Sequence, residues 1–78
     1  MKTIEELIGT FEVGQKYQIE LSTSDAWYDD LGKRFVGEVE EIVEFEKDSF
    51  RIPYFKVNGE SGYNFSIYGN KAKLIEEK

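Results

Sequence analysis

Seventy-eight residues leave room for one domain built on one modest core, so residues 1–78 read as a single unit. Hydrophobic residues make up 40% of the chain, and six Phe, five Tyr and one Trp supply enough apolar bulk for a compact fold without metal or disulfide. The sequence has no Cys and no His; this removes disulfides, a thiolate nucleophile, a cysteine zinc site and the usual general base. Its net charge of −6 repels a nucleic-acid backbone at long range. The expectation is therefore a non-enzymatic protein without metal or cofactor, for which nucleic acid is a disfavoured partner.

The opening Met1-Lys2-Thr3-Ile4-Glu5-Glu6 lacks the layout of a signal peptide, and no apolar run approaches the ~20 residues of a membrane span. A cytoplasmic protein with no membrane association is expected. Thr3 followed three residues later by Glu6 forms a capping box, and Ile4, Leu7 and Ile8 then share a face before Gly9. This predicts a short N-terminal helix that must be pinned by its apolar side.

From Lys16 the period changes to two. Tyr17, Ile19 and Leu21 alternate with Gln18, Glu20 and Ser22, the pattern of a strand with one buried face. Residues 22–32 have no sustained period and read as a long loop. A second strand runs from Lys33 to Glu46, with Phe35, Gly37, Val39, Val43 and Phe45 on one face and Val36, Glu38, Glu40, Ile42, Glu44 and Glu46 on the other. A turn at Lys47-Asp48 leads into a third strand, Ser49 to Asn58, whose apolar parity switches at Pro53. A one-residue bulge at Pro53-Tyr54 would reset it. Asn58-Gly59 begins a turn that continues through Glu60-Ser61-Gly62 into a fourth strand, Tyr63 to Tyr68, and Lys71 to Ile75 forms a fifth.

Short strands, close turns and one long bent strand point to a mainly β fold that closes on itself. The stretch Val13-Gly14-Gln15-Lys16-Tyr17-Gln18-Ile19, a loop, and Val36-Gly37-Glu38-Val39-Glu40-Glu41-Ile42 resembles the opening strands of SH3-like small β-barrels, including the Tudor and KOW types. The run Tyr63 to Ile75 is compatible with their last two strands. The resemblance implies a five-stranded SH3-like barrel with a short N-terminal helix. KOW-type members are usually basic along their nucleic-acid face, a feature this acidic chain does not share. In size and acidity the chain also resembles small early phage proteins directed against host machinery.

Three constellations are candidates for function. In the loop, Asp25, Trp27, Tyr28, Asp29 and Asp30 put two adjacent rings among carboxylates. At least one ring should reach the surface, where its π-face and the surrounding charge suit a Lys or Arg side chain; the alternative is that Trp27 folds back as a lid on the barrel. On the second strand, Glu38, Glu40, Glu44 and Glu46 would project from one face if the pleat is regular. Their spacing of about 6.6 Å is comparable to that of phosphates along a nucleic-acid strand. They serve either to recognise basic patches, as a partial DNA mimic, or only to keep the strand soluble. Tyr54, Tyr63 and Tyr68 with Arg51, Lys56, Lys71 and Lys73 are the residues a nucleic-acid-binding barrel would use. The reading that follows is an inhibitor or modulator that occupies a basic surface of a partner protein. Asp25, Asp29 and Asp30 would steer it, Trp27 and Tyr28 anchor it, and Glu38, Glu40 and Glu44 meet basic patches. The alternatives are a nucleic-acid-binding barrel and a self-assembling subunit.

Overall fold

The computed structural model describes residues 1–45 and 50–76. The elements are β1 (Lys2–Thr3), α1 (Ile4–Leu7), β2 (Lys16–Glu20), α2 (Tyr28–Leu31), β3 (Arg34–Phe45), β4 (Phe50–Val57), β5 (Glu60–Tyr63) and β6 (Lys71–Leu74). The strands form one antiparallel sheet in the order β1-β6-β2-β3-β4-β5. The fold is mainly β, as the alternating periods require. The sheet is open, with the two-residue β1 as an additional strand beyond the five expected, and β1 and β5 form its edges. The expected strand end at Glu46, the turn at Lys47-Asp48 and the strand start at Ser49 lie outside the described residues, as do Glu77 and Lys78. No helix among the described residues is long and apolar enough to cross a membrane.

Local chemistry accounts for α1. The Thr3 hydroxyl accepts from the Glu6 amide at 3.2 Å, and the Glu6 carboxylate accepts from the Thr3 amide at 3.3 Å and from the Thr3 hydroxyl at 3.0 Å. The helix is pinned as predicted: Ile4 is fully buried, and the Ile4 and Glu5 amides donate to the carbonyls of Asn70 and Ile67. The hydrogen bonds from Thr3 hold the Glu6 carboxyl below its usual value. Because the folded form has the lower pKa, this cap contributes fully above the ordinary glutamate range and is lost as pH falls through the lowered value. Amide protection in α1, taken relative to the intrinsic exchange rate at each pH, is expected to fall on acidification across that window. Thr3→Ala should remove the pH dependence along with the cap; an unchanged profile in that variant would refute the assignment.

Three departures from the expected elements have physical causes. First, the 22–32 segment contains α2, a single turn whose carboxylates Asp29 and Asp30 lie near its N-terminus, where negative charge is favoured. Second, the parity switch near Pro53 arises on the partner strand. Phe55 pairs with Val39 and Tyr54 with Glu41, so the extra residue is Glu40 and β4 runs regularly through Pro53. Proline is tolerated there because β5 pairs with β4 only at Phe55 and Val57, leaving that stretch of β4 an edge. Third, the fourth strand begins and ends earlier than expected. Asn58 and Gly59 both have positive φ, 52° and 82°, which allows a two-residue hairpin. β5 therefore starts at Glu60, and residues 64–70 cross back to β6 without joining the ladder.

The core lies on one face of the sheet. Tyr17, Ile19, Val39, Phe55, Val57 and Ala72 are buried from the strands, and Ile4, Phe11, Leu21 and Phe65 close over them from the connections. The rings form a continuous series. Phe11 meets Tyr17 at 4.9 Å and Phe55 at 6.0 Å, Phe55 meets Phe65 at 5.9 Å, and Phe65 stacks near-parallel to Tyr63 at 6.2 Å. Offset and edge-on contacts of this kind add to the burial of apolar area. The series continues outward, and its last member lies at the surface.

Candidate functional site

That last ring is Trp27. Its indole meets the Tyr63 ring edge-on, with centroids 4.9 Å apart and planes at 72°, and the residue is 38% exposed. One of the two adjacent loop aromatics does reach the surface, while Tyr28 is half-buried and packs against the core. The ring that accompanies Trp27 is therefore Tyr63 from β5. Its hydroxyl donates to Glu60 Oε2 at 2.8 Å. This bond raises the Tyr63 hydroxyl above the usual tyrosine value, with smaller contributions from burial and from the charges of Glu60 and Asp30. Asp30 is thus close enough to Tyr63 to act on it. Asp29 and Asp30 are both exposed. Two rings at a steep angle, bordered by Asp30 and Glu60, make an acidic aromatic corner.

Asp25 holds this corner in place. Its Oδ1 accepts from the Trp27 amide at 2.8 Å and its Oδ2 from the Asn70 side-chain amide at 2.9 Å. With both oxygens engaged inside the protein, Asp25 positions the loop, in place of the steering role expected of it. Asn70 is 1% exposed. Its Nδ2 also donates to the Ser66 carbonyl at 2.9 Å and its Oδ1 accepts from the Ser22 amide at 2.8 Å. A buried side-chain amide is retained here because nearly all of its hydrogen-bonding capacity is used.

The glutamates do not form one row. Residues paired across an antiparallel ladder share a face, and alternate residues of a strand do the same. Glu38 pairs with Lys56, Glu41 with Tyr54 and Glu44 with Arg51. The bulge at Glu40 thus shifts the strand by one residue, and Glu44 falls on the face opposite to Glu38. Glu46 lies outside the described residues. The regular charge spacing expected of a nucleic-acid mimic is interrupted. Glu44 forms an ion pair with Arg51 at 3.2 Å. Glu40 Oε2 accepts from the Gly62 amide at 2.6 Å, tying the bulge of β3 to a second irregularity in β5, where Phe55 pairs with Tyr63 but Val57 with Glu60. Gly62 adopts φ of 89°, which a side chain would resist.

Glu40 therefore braces β5 behind Tyr63. Glu40→Ala is expected to cost about 1 kcal/mol in chemical denaturation, as for loss of one charge-assisted hydrogen bond. Glu40→Gln, which keeps an acceptor, should recover most of it. Equal losses in the two variants would contradict this bracing role.

The cations collect on the sheet face away from the core. Lys71, Glu20 and Arg34 form one cross-strand row and Lys16, Glu38 and Lys56 another, with Lys73 opposite Gln18 between them. Arg34 pairs with Glu20 at 2.9 Å, and the hydrogen bond from Arg34 holds the Glu20 carboxyl below its usual value. Tyr54 shares this face with Lys56, whereas Tyr68 is exposed in the 64–70 crossing.

The sequence pointed to one of Trp27 and Tyr28 at the surface and left open whether Trp27 was a lid; the exposed ring is Trp27, and its neighbours Tyr63 and Glu60 were not foreseen. The available signal was the spacing of Glu60 and Tyr63 after a positive-φ Asn58-Gly59 turn, which brings a carboxylate and a phenol onto one short strand. No protein-family model, curated protein or solved structure matches the chain.

Proposed function

We propose that the chain is a non-enzymatic binding module that occupies a basic surface of a partner protein. Trp27 and Tyr63 provide the contact, and Asp29, Asp30 and Glu60 provide the charge. The observation that carries this reading is the edge-on Trp27–Tyr63 pair at 4.9 Å, at the exposed end of a ring series anchored in the core. A ring pair held from behind loses little freedom on binding, and an adjacent carboxylate pair draws an arginine or lysine side chain toward its π-faces. Glu38 and Glu44 lie on opposite faces of β3 and are peripheral in this account; Tyr28 and Asp25 support the corner from inside. Occupancy of a basic surface by a small acidic protein is an inhibitory mode of action, in keeping with the likeness to early phage proteins, and the cytoplasm is its proposed setting. The SH3-like small-barrel reading belongs to the same proposal. It is supported by the return of β6 to pair with β2 and by the bulge that bends β3.

The test uses an immobilised arginine-rich peptide. The native protein is expected to bind it at low salt, and Trp27→Ala combined with Tyr63→Ala should weaken capture at least about tenfold, a loss typical of paired aromatic anchors. Unchanged capture by a folded double variant would overturn the assignment.

A second reading, single-stranded nucleic acid, is favoured by one observation: Lys56, Lys71 and Lys73 share the outer face with Tyr54. Binding of an oligonucleotide that falls steeply with salt and is lost on Lys56→Glu with Lys73→Glu would favour it over the first.

A further inference from the structure

We infer that the sheet face away from the core is a docking surface for the acidic aromatic corner of a second copy of this chain, so that copies join head to tail. The inference rests on the proposed reading of the corner as a seat for basic side chains, and it names one source of them. The face is made by β6, β2, β3 and β4. Their ladders place Lys71, Glu20 and Arg34 in one row, Lys73, Gln18 and Val36 in the next, and Lys16, Glu38 and Lys56 in the third. Half of the chain's ten Lys and Arg stand in these rows, but only two of its sixteen Asp and Glu. All five cations are exposed, whereas Glu20 and Glu38 are half-buried; Glu41, opposite Tyr54, borders the face at the bulge. A locally positive surface thus sits on a chain of net charge −6.

The centre of the face is apolar. Val36 is 50% exposed, with Arg34 and Glu38 two residues away along β3 and Gln18 across the ladder. An exposed apolar residue bordered by charged ones has the make-up of a contact centre. The corner is its complement, an indole 38% exposed beside the carboxylates of Asp30 and Glu60. A phosphate backbone would meet the cations and leave Val36 uncovered. An indole flanked by carboxylates serves both.

The two surfaces cannot meet within one copy. Tyr63 pairs with Phe55, which is buried in the core, so the corner lies on the core side of the sheet; Lys56, the next residue of β4, is on the other side. Each copy therefore presents both surfaces, and a contact between unlike surfaces is not used up in a dimer. The net charge opposes approach at long range. At physiological salt it is screened beyond about 8 Å, which leaves the pairs in contact to decide.

Sedimentation equilibrium over a concentration series at physiological salt tests this. The average mass of the native chain is expected to rise with concentration beyond that of a dimer. Asp29→Asn with Asp30→Asn should weaken association severalfold, although it lowers the net charge and with it the general repulsion between copies. Lys56→Gln with Lys73→Gln should do the same from the other side. An equimolar mixture of the two variants should associate more strongly than either alone, because it restores one intact corner-to-face contact. A native chain that stays monomeric, with or without binding an oligonucleotide, a complex that ends at a dimer, tighter association of the asparagine variant, or a mixture no better than its parts would each overturn the inference. If the arginine-rich peptide is captured while the chain stays monomeric, only this inference fails; if the peptide is not captured, the corner reading fails and this one with it.

Discussion

Asn70→Ala is expected to lower the unfolding free energy by about 3 kcal/mol, visible as a lower urea midpoint with an unchanged slope. Alanine would remove all three hydrogen bonds of the Asn70 side chain in one step. The Ser22 amide, the Ser66 carbonyl and Asp25 Oδ2 would each lose a hydrogen bond of 2.8 to 2.9 Å, at a position only 1% exposed where water replaces them poorly. Leaving buried polar groups without partners costs more than making each bond gained. The effect should also reach the candidate site, since Asp25 holds the Trp27 amide with its other oxygen. Asn70→Asp should be comparably damaging, because it replaces the donor facing Asp25 with a second carboxylate oxygen. A loss below about 1 kcal/mol for the alanine variant would mean that the loop is held by something other than this amide.

Gly37→Val is expected to cost about 3 kcal/mol or to prevent folding, a penalty at the upper end for overpacked cores. A Cβ at Gly37 would lie 3.0 Å from Ile19 Cδ1, 3.2 Å from Phe55 Cδ1 and 3.3 Å from Phe55 Cβ. The Ile19 methyl is the end of a flexible side chain and can yield, but Phe55 Cβ is fixed to the backbone of β4. Phe55 itself is in ring contact with Phe11, Tyr17 and Phe65, so displacing it disturbs the centre of the core. Gly37→Ala adds only the Cβ and should cost much less than valine. If valine proves as mild as alanine, β4 can move away from β3 more easily than the packing implies.

The parts of this fold legible in the sequence were those encoded locally. The Thr3–Glu6 capping box, the alternation of Tyr17, Ile19 and Leu21, and the short strand around Ala72 each carry their signal within a few residues. The bend in the β3–β4 ribbon was also legible from the switch of apolar parity, but not its position. Either strand can absorb the extra residue, and only the register against Phe55 assigns it to Glu40. That assignment separated Glu38 from Glu44, which a regular pleat had placed together. The candidate site was half legible for the same reason. Polar surroundings showed that Trp27 and Tyr28 could not both be buried but not which of them would reach the surface, whereas the contact of Trp27 with Tyr63 of β5 is tertiary and has no local signature. Asn70 was missed altogether, because an Asn after a Gly reads as a turn residue and its three side-chain bonds reach back as far as Ser22.

The emission of Trp27, the only tryptophan in the chain, is the most direct measure of the proposed contact. Adding an arginine-rich peptide at low salt is expected to change the indole emission saturably. Salt should suppress the change, and Asp29→Asn with Asp30→Asn should weaken it severalfold. If the peptide binds while the emission stays constant, or if only an oligonucleotide alters it, the acidic aromatic corner is not the surface through which this protein acts.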